Sequence, residues 1–411
     1  MTTIIRCGQL FNGLNEEVSR STDVIVQGEK IRDVSARIDT LDADVIDLSR
    51  YFVMPGLIDA HTHLSVNPTR GDQLGQLRQP SGQQGLRIPG HLAKDLDAGT
   101  TTLRIMGEED WLDVYTREAI ADGTLEGPRI VIATRGLAAG NGHGRAKAAF
   151  DGVEELRRAS RENLAQGADF LKVFATGGVA SGTGLESAMY SFEEMRVVVE
   201  EAERKGTYVA AHAHGGPGLQ LAAKAGVRTI EHAALGSEQD VEVMLQHNCW
   251  VIGTFTILFH PEGIETGDAS APAILEKLLA AREEVAESTS RIFSSGLRIA
   301  LGTDSMHGRM AYEVQTAIRL GMSPARALMA ATLGGAQALR IEDRTGTIGV
   351  GKDADIIACD GNPLSDPSAL DRIAFVMKGG KVYRSLSGAR LRELQGEALP
   401  RGHIRTEGRT P

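Results

Sequence analysis

The sequence predicts an α/β protein: a (β/α)8 TIM barrel with a small β-sandwich domain built from both ends of the chain. Three observations carry this reading. Eight short apolar runs alternate with longer helical patterns between about residues 53 and 302, the rhythm that eight strand–helix units require. Many runs are introduced by a helix-ending glycine, as at Gly99, Gly167, Gly206, Gly226 and Gly296. On either side of this region the pattern becomes short strands and turns, and a sheet that small buries too little surface to stand alone.

From the N-terminus, strands are expected at Thr3–Cys7, Asp23–Gln27, Lys30–Val34 and Val45–Asp47, with a turn at Gln27-Gly28-Glu29. The eight runs are Val53–Ile58, Thr100–Ile105, Arg129–Ala133, Phe170–Ala175, Tyr208–Ala213, Thr229–His232, Trp250–Thr254 and Ile299–Gly302. Amphipathic stretches such as Phe192–Lys205 and Gly218–Ala225 lie between them. A doubly wound sheet is the competing layout, but no GxGxxG opens a helix after the first strand. Beyond about residue 340, Ala354–Cys359 reads as a strand, and Ile373–Lys378 with Lys381–Tyr383 as a hairpin around Gly379-Gly380. Residues 1–55 plus 345–385 therefore form the small β-domain, 56–344 the barrel, and 386–411 a polar C-terminal tail.

The 44 Lys plus Arg against 54 Asp plus Glu leave a formal charge of −10. Neither nucleic acid nor an anionic membrane is an expected partner, because both attract a cationic surface. A small-molecule substrate and a homo-oligomer are expected instead. Cys7, Cys249 and Cys359 are isolated, so neither a disulfide framework nor a thiolate zinc site is implied. With no signal-peptide core and no apolar run of membrane-spanning length, a cytoplasmic location is the expectation.

Several of the 11 histidines close predicted strands, where barrel active sites lie. His61-Thr62-His63 ends VMPGLIDAHTHL. In an extended segment residues i and i+2 point the same way, so both imidazoles can reach one ion. Lys172 follows in DFLKVFATGG, His212 and His214 in YVAAHAHGG, His232 in TIEHA and Asp304 in IALGTDS. A single strand-end histidine is usually a hydrogen-bonded structural residue. Metal-type residues ending five of eight strands are hard to explain by packing, and they point to a metal site. His91, His247, His260 and His403 read as structural or surface residues, while His307, three residues past Asp304, is a candidate for lining the site.

PGLIDAHTHL, then Lys172, His212, His232 and Asp304 in that order, resembles the amidohydrolase superfamily over nearly the whole chain. TGTIGVGKDADIIACDGNPL is similar to that family's C-terminal sandwich. DFLKVFATGGVAS, AHAHG and LGTDS look most like the imidazolonepropionase-related hydrolases, which include metal-dependent Xaa-Pro and Xaa-Arg/Lys dipeptidases and ochratoxin-type amidases. The resemblance implies two divalent ions, Zn²⁺ first among them, and a Lys172 carboxylated on its amine to bridge them. His61, His63, Lys172 and Asp304 would hold one ion, and Lys172, His212 and His232 the other. It implies further that a metal-bound hydroxide cleaves a C–N amide or peptide bond of a dipeptide or N-acyl amino acid. Asp304 would move the proton and His143, in a matching Gly-His-Gly, would bond the substrate carbonyl. His212 is the implied ligand of the His-Ala-His segment and His214 a substrate contact; if the strand bends early, the two exchange.

The resemblance also implies a leaving group with a free carboxylate, which calls for an arginine. Arg145, two residues after His143, is the first candidate and Arg135 the second. At Arg145 many relatives carry an acid, and the loop Ala180–Ser191 lacks the relatives' proline-containing stretch, so prolidase activity does not follow from the resemblance. A deaminase or cyclic amidase on the same fold is the alternative. Deaminases of this kind usually lack the bridging lysine and place a glutamate where this chain has Gly215 and Gly216. A non-catalytic scaffold is less favoured, since no expected ligand is missing.

Overall fold

The computed structural model describes residues 2–37, 43–179, 183–267 and 272–386. Its strands, in chain order, are β1 (Thr2–Phe11), β2 (Val18–Gln27), β3 (Lys30–Ala36), β4 (Asp44–Pro55), β5 (Leu57–Thr62), β6 (Thr100–Ile105), β7 (Arg129–Ile132), β8 (Leu171–Phe174), β9 (Val209–Ala213), β10 (Thr229–His232), β11 (Trp250–Gly253), β12 (Arg298–Leu301), β13 (Ile356–Cys359), β14 (Ile373–Lys378) and β15 (Lys381–Arg384).

Both chain ends meet in one seven-stranded sheet of order β15-β14-β13-β4-β1-β2-β3. Side chains alternate across it with the period of two that a strand imposes. Ile5, Val24, Ile31, Ile356 and Phe375 form a core of the sheet's own. Phe11, Phe52, Met54, Ile357 and Val376 join the large core shared with the helices. The hairpin between β14 and β15 turns at Gly379 and Gly380, whose φ of 54° and 74° suit a tight turn that favours glycine.

The remaining strands run parallel in two arcs, β5-β6-β7 and β8-β9-β10-β11-β12. Backbone hydrogen bonds cross both gaps between the arcs. Asp169 N donates to Ile132 O (2.8 Å) and Leu137 N to Lys172 O (2.8 Å) at one gap. At the other, Asp304 N donates to His61 O (2.8 Å), and buried Asp59 accepts from Thr303 N (3.0 Å) and Thr303 Oγ1 (2.5 Å). Gly302 permits that second approach, since a Cβ there would lie 2.5 Å from His61 N.

The run expected as one strand over Val53–Ile58 is divided. Its first half closes β4 in the seven-stranded sheet and its second half opens β5 in the parallel set. Gly56 sits at the break: its N–H bonds Asp355 O (3.0 Å), Leu57 N turns to Gly99 O (2.9 Å), and a Cβ on Gly56 would meet Thr101 at 2.2 Å.

The two regions are joined by a polar clamp at the N-terminal end of β7. Arg129 donates to Asp353 Oδ2 and Asp355 Oδ2, both at 2.7 Å. Asp353 also pairs with Lys30 (2.6 Å) and Arg344 (3.2 Å). The three cysteines are free and buried, and burial pushes their thiols up to about 12. Among the described residues no helix is long and apolar enough to cross a membrane.

Candidate active site

Parallel strands deliver their C-terminal ends to one face. His61 and His63 arrive from β5, Lys172 from β8, His212 and His214 from β9, His232 from β10 and Asp304 from the turn after β12. All seven, with His143, border a single cavity of about 70 Å³. Asp304 Oδ1 lies 3.5 Å from His61 Nε2 and 3.8 Å from His63 Nε2. Candidate ligand atoms of His61, His232 and Asp304 lie within 4.8 Å of one another, so these three residues alone could hold an ion.

The four histidines expected to bind metal share one arrangement. Each has one ring nitrogen anchored to an oxygen: His61 Nδ1 on Glu231 (2.7 Å), His63 Nδ1 on the Gly107 carbonyl (2.9 Å), His232 Nδ1 on Thr254 Oγ1 (2.7 Å) and His212 Nε2 on the Gly177 carbonyl (3.0 Å). Such outer partners are what fix a ligating imidazole, leaving the other nitrogen for the ion. Burial lowers His63 to about 4 and takes His212 and His232 well below the ordinary histidine value. They are held neutral, the form with a lone pair to offer.

Regular alternation would send Glu231 and His232 to opposite faces of β10. His232 instead has a φ of 74°, and this turn lets Glu231 reach His61 while His232 borders the cavity. Asp304 is likewise left-handed, with a φ of 52°. Conformations of this kind cost about 1–3 kcal/mol each and gather at functional sites. Glu231 is fully buried between Arg104 Nη2 (2.7 and 2.9 Å) and Thr229 Oγ1 (2.5 Å). Burial raises its pKa, but Arg104 and His61 outweigh that and hold it at about 2. At Asp304 burial is similarly outweighed by His61 and His63, again to about 2.

Lys172 is 1% exposed, and its Nζ has no hydrogen-bond partner. The Phe174 ring centroid stands 5.0 Å away. Burial pulls the amine down to about 8. An unsatisfied buried amine is expensive to keep; a carboxylated amine beside cations would satisfy it, so the donor set fits the implied metals.

His143 lies against Gly178, where a Cβ would come within 2.5 Å of the imidazole, and its ring is 4.5 Å from that of His212. His214 borders the cavity with its ring 5.2 Å from that of His232. Two expected substrate contacts are displaced. Arg135 turns away to Glu162 (2.7 Å) and packs over the Trp111 ring (4.4 Å), drawn by a carboxylate on the helix Val153–Ala165. Arg145 is exposed and bonds the Gly140 carbonyl (3.0 Å). Neither borders the cavity. His307 stands behind the site instead of lining this cavity, with Nε2 on the His63 carbonyl (3.0 Å) and Nδ1 on Asp95 (2.8 Å). His91, expected as a structural or surface residue, is buried and stacks on His307 at 4.2 Å. Of the loop 180–191, residues 180–182 lie outside the described residues, as does His403.

Glu231, Arg104, Thr254 and the Gly107 carbonyl, which anchor these rings or their partners, were not among the residues expected from the sequence. Only Glu231 left a signal: an acid inside a four-residue buried strand, next to an expected ligand.

The chain is 30% identical to the ochratoxinase of Aspergillus niger over 366 residues, covering 81% of this chain and 75% of that one. It is 26% identical to the imidazolonepropionase of Micrococcus luteus over 378 residues, covering 82% and 87%. Its structure is similar to that of a Xaa-Pro dipeptidase with bound methionine in the active site (TM-score 0.85, 28% identity, 94% of this chain and 100% of that one). It is also similar to the crystal structure of A. niger ochratoxinase (TM-score 0.83, 28% identity, 93% and 96%). These likenesses imply a TIM-barrel-like domain together with a β-sandwich. Residues 52–383 match the sequence model of the amidohydrolase family, and with so much of the chain matched it belongs to that family, as a hydrolase of carbon–nitrogen bonds.

Proposed function

We propose that this chain is a binuclear metal-dependent amidohydrolase that cleaves an amide or peptide bond, with its two parallel arcs forming one closed barrel over residues 56–344. The observation that carries the reading is the buried Lys172 amine, unsatisfied among anchored histidines. Carboxylated, Lys172 would join His61, His63 and Asp304 around one ion, zinc first among candidates, and His212 and His232 around the other. His212 offers Nδ1, because Nε2 is committed to Gly177. When bound, such ions supply an acidified water and a Lewis acid for the scissile carbonyl.

The protein's own groups do the rest. Asp304, held ionised, accepts a proton from the attacking water and returns it to the departing nitrogen. His143 donates to the substrate oxygen. His214 contacts the substrate beside it. Glu231, itself paired with Arg104, fixes the His61 ring by accepting from Nδ1.

Elemental analysis of undialysed protein expressed with zinc and bicarbonate tests this: about two ions per chain are expected. Full amide hydrolysis with one ion or none would overturn the binuclear reading.

A further inference from the structure

The amide-hydrolase reading leaves the substrate open, and the cavity wall narrows it. Leu74 and Leu77 face the cavity from the helix Gln73–Arg78, Phe174 and Val179 from β8 and the segment after it, and Ile257 and Leu258 from the helix Thr256–Phe259. Five of these six side chains are buried, so the wall is a packed apolar surface. Among the described residues bordering the cavity there is no arginine, and Lys172 is the one lysine. Asp304 is the one carboxylate there, and it faces His61 and His63. The two arginines expected to meet a carboxylate, Arg135 and Arg145, bond Glu162 and the Gly140 carbonyl, and Arg78, next to Leu77, bonds the Arg145 carbonyl.

Away from the histidines, Lys172 and Asp304, a charge carried against such a wall loses its hydration and gains no counter-charge from a side chain. Apolar groups gain by the same transfer. Binding sites of this make-up take their affinity from apolar lining and their orientation from a few polar groups; here those groups are the histidines, Lys172 and Asp304 with the uncharged Gln73 and Thr254.

We propose, resting on the amide-hydrolase reading, that the substrate is an amide with apolar, uncharged groups on both sides of the scissile bond, and that a free carboxylate on the leaving group is not required. The reaction is a simple hydrolysis. Water supplies the oxygen of the new C–O bond, the C–N bond breaks, and the proton goes to the released amine.

The test uses the metal-loaded enzyme and four N-acetyl compounds: L-leucinamide, L-leucine, L-arginine and L-glutamate derivatives. Acetate release gives kcat/KM, and calorimetry on the Asp304→Asn protein, its bound metal measured first, gives affinity while turnover is slow. The leucinamide compound should be used at least as well as free N-acetyl-leucine. Both should exceed the arginine and glutamate compounds by roughly 100-fold, the scale on which an unpaired polar group is rejected. Leu77→Arg, or Leu74→Arg if the first misfolds, should shift the preference toward the free acid by about tenfold or more. A native preference of more than about tenfold for the free acid, or equal use of the charged side chains, would overturn the proposal. If no compound is cleaved, the amide-hydrolase reading fails. The affinities still decide the pocket: tighter binding of the charged compounds refutes an apolar site, and tighter binding of the leucine compounds supports it.

Discussion

The parallel strands have two ends, and the chain treats them oppositely. Where β7 begins, Arg129 lies between Asp353 and Asp355, and Lys30 and Arg344 complete the network. Each carboxylate there has a cation within 4 Å. Where the strands finish, four anchored imidazoles and a carboxylate surround an amine with no partner, and His232 and Asp304 hold left-handed backbone. One end satisfies its charges internally and joins the seven-stranded sheet to the parallel strands. The other leaves a buried amine unsatisfied among imidazoles that each keep one ring nitrogen anchored. TIM-barrel-like domains separate stability from chemistry along the strand axis in this way, so substitutions at the two ends should have different signatures.

The largest effect should come from Lys172→Ala. Activity and bound metal should fall together, by more than the roughly 100-fold that follows loss of an outer partner of a ligand. Melting of the metal-free protein should change little or rise, because the amine removed is buried and unsatisfied. A marked drop in metal-free stability would place Lys172 with the strand-start clamp and break the contrast. Asp304→Asn comes next. It should lower kcat at least about 100-fold while leaving substrate affinity nearly intact, and a change of only a few-fold would move the proton transfer to another group.

Glu231→Gln sharpens the comparison, because Glu231 belongs to both kinds of region. It anchors His61 and is also half of a buried ion pair with Arg104. Metal affinity should fall about 10–100-fold, and stability by about 3–5 kcal/mol as Arg104 is left unpaired. Adding Arg104→Met should restore much of the stability without restoring the affinity. If both recover together, Glu231 acts through the fold alone.

The difference between the ends also explains what could be read in the sequence. The parallel strands and their histidines were legible because a helix-ending glycine marks where many strands begin and the apolar run that follows gives way to polar residues where each one stops. The fate of Val53–Ile58 was not. An apolar run looks the same in either sheet, and the break at Gly56 depends on the side chain of Thr101, 45 positions on. Glu231 was hidden because the sequence does not show that His232 has a positive φ. Arg135 and Arg145 sat at the right positions in the chain, but sequence distance from His143 says nothing of direction, and Glu162 on a neighbouring helix decides where Arg135 points. Partners supplied by other elements are what linear pattern leaves out.

The smallest expected effect on catalysis, and the clearest test of the strand-start end, is Arg129→Met. The side chain keeps most of its packing volume but leaves buried Asp355 without its cation, while Asp353 retains Lys30 and Arg344. Stability near neutral pH should fall by about 2–4 kcal/mol, toward the lower part of the range for a broken buried pair, because two of the cations remain. kcat should stay within a few-fold, since Arg129 lies at the far end of the strand from the histidines. The pH dependence has a definite sign. Burial raises the pKa of Asp353, but Lys30, Arg129 and Arg344 outweigh it, leaving the group below the ordinary carboxylate value. A depressed carboxylate stabilises the fold above its unfolded pKa of about 3.9 and loses that contribution as pH falls through the folded value. The gap in unfolding free energy between the unaltered protein and Arg129→Met should therefore be widest above about pH 5 and narrow below about pH 4. Urea unfolding at both pH values reads this directly. A gap that stays constant across the range would mean that Arg129 contributes by packing and not by charge.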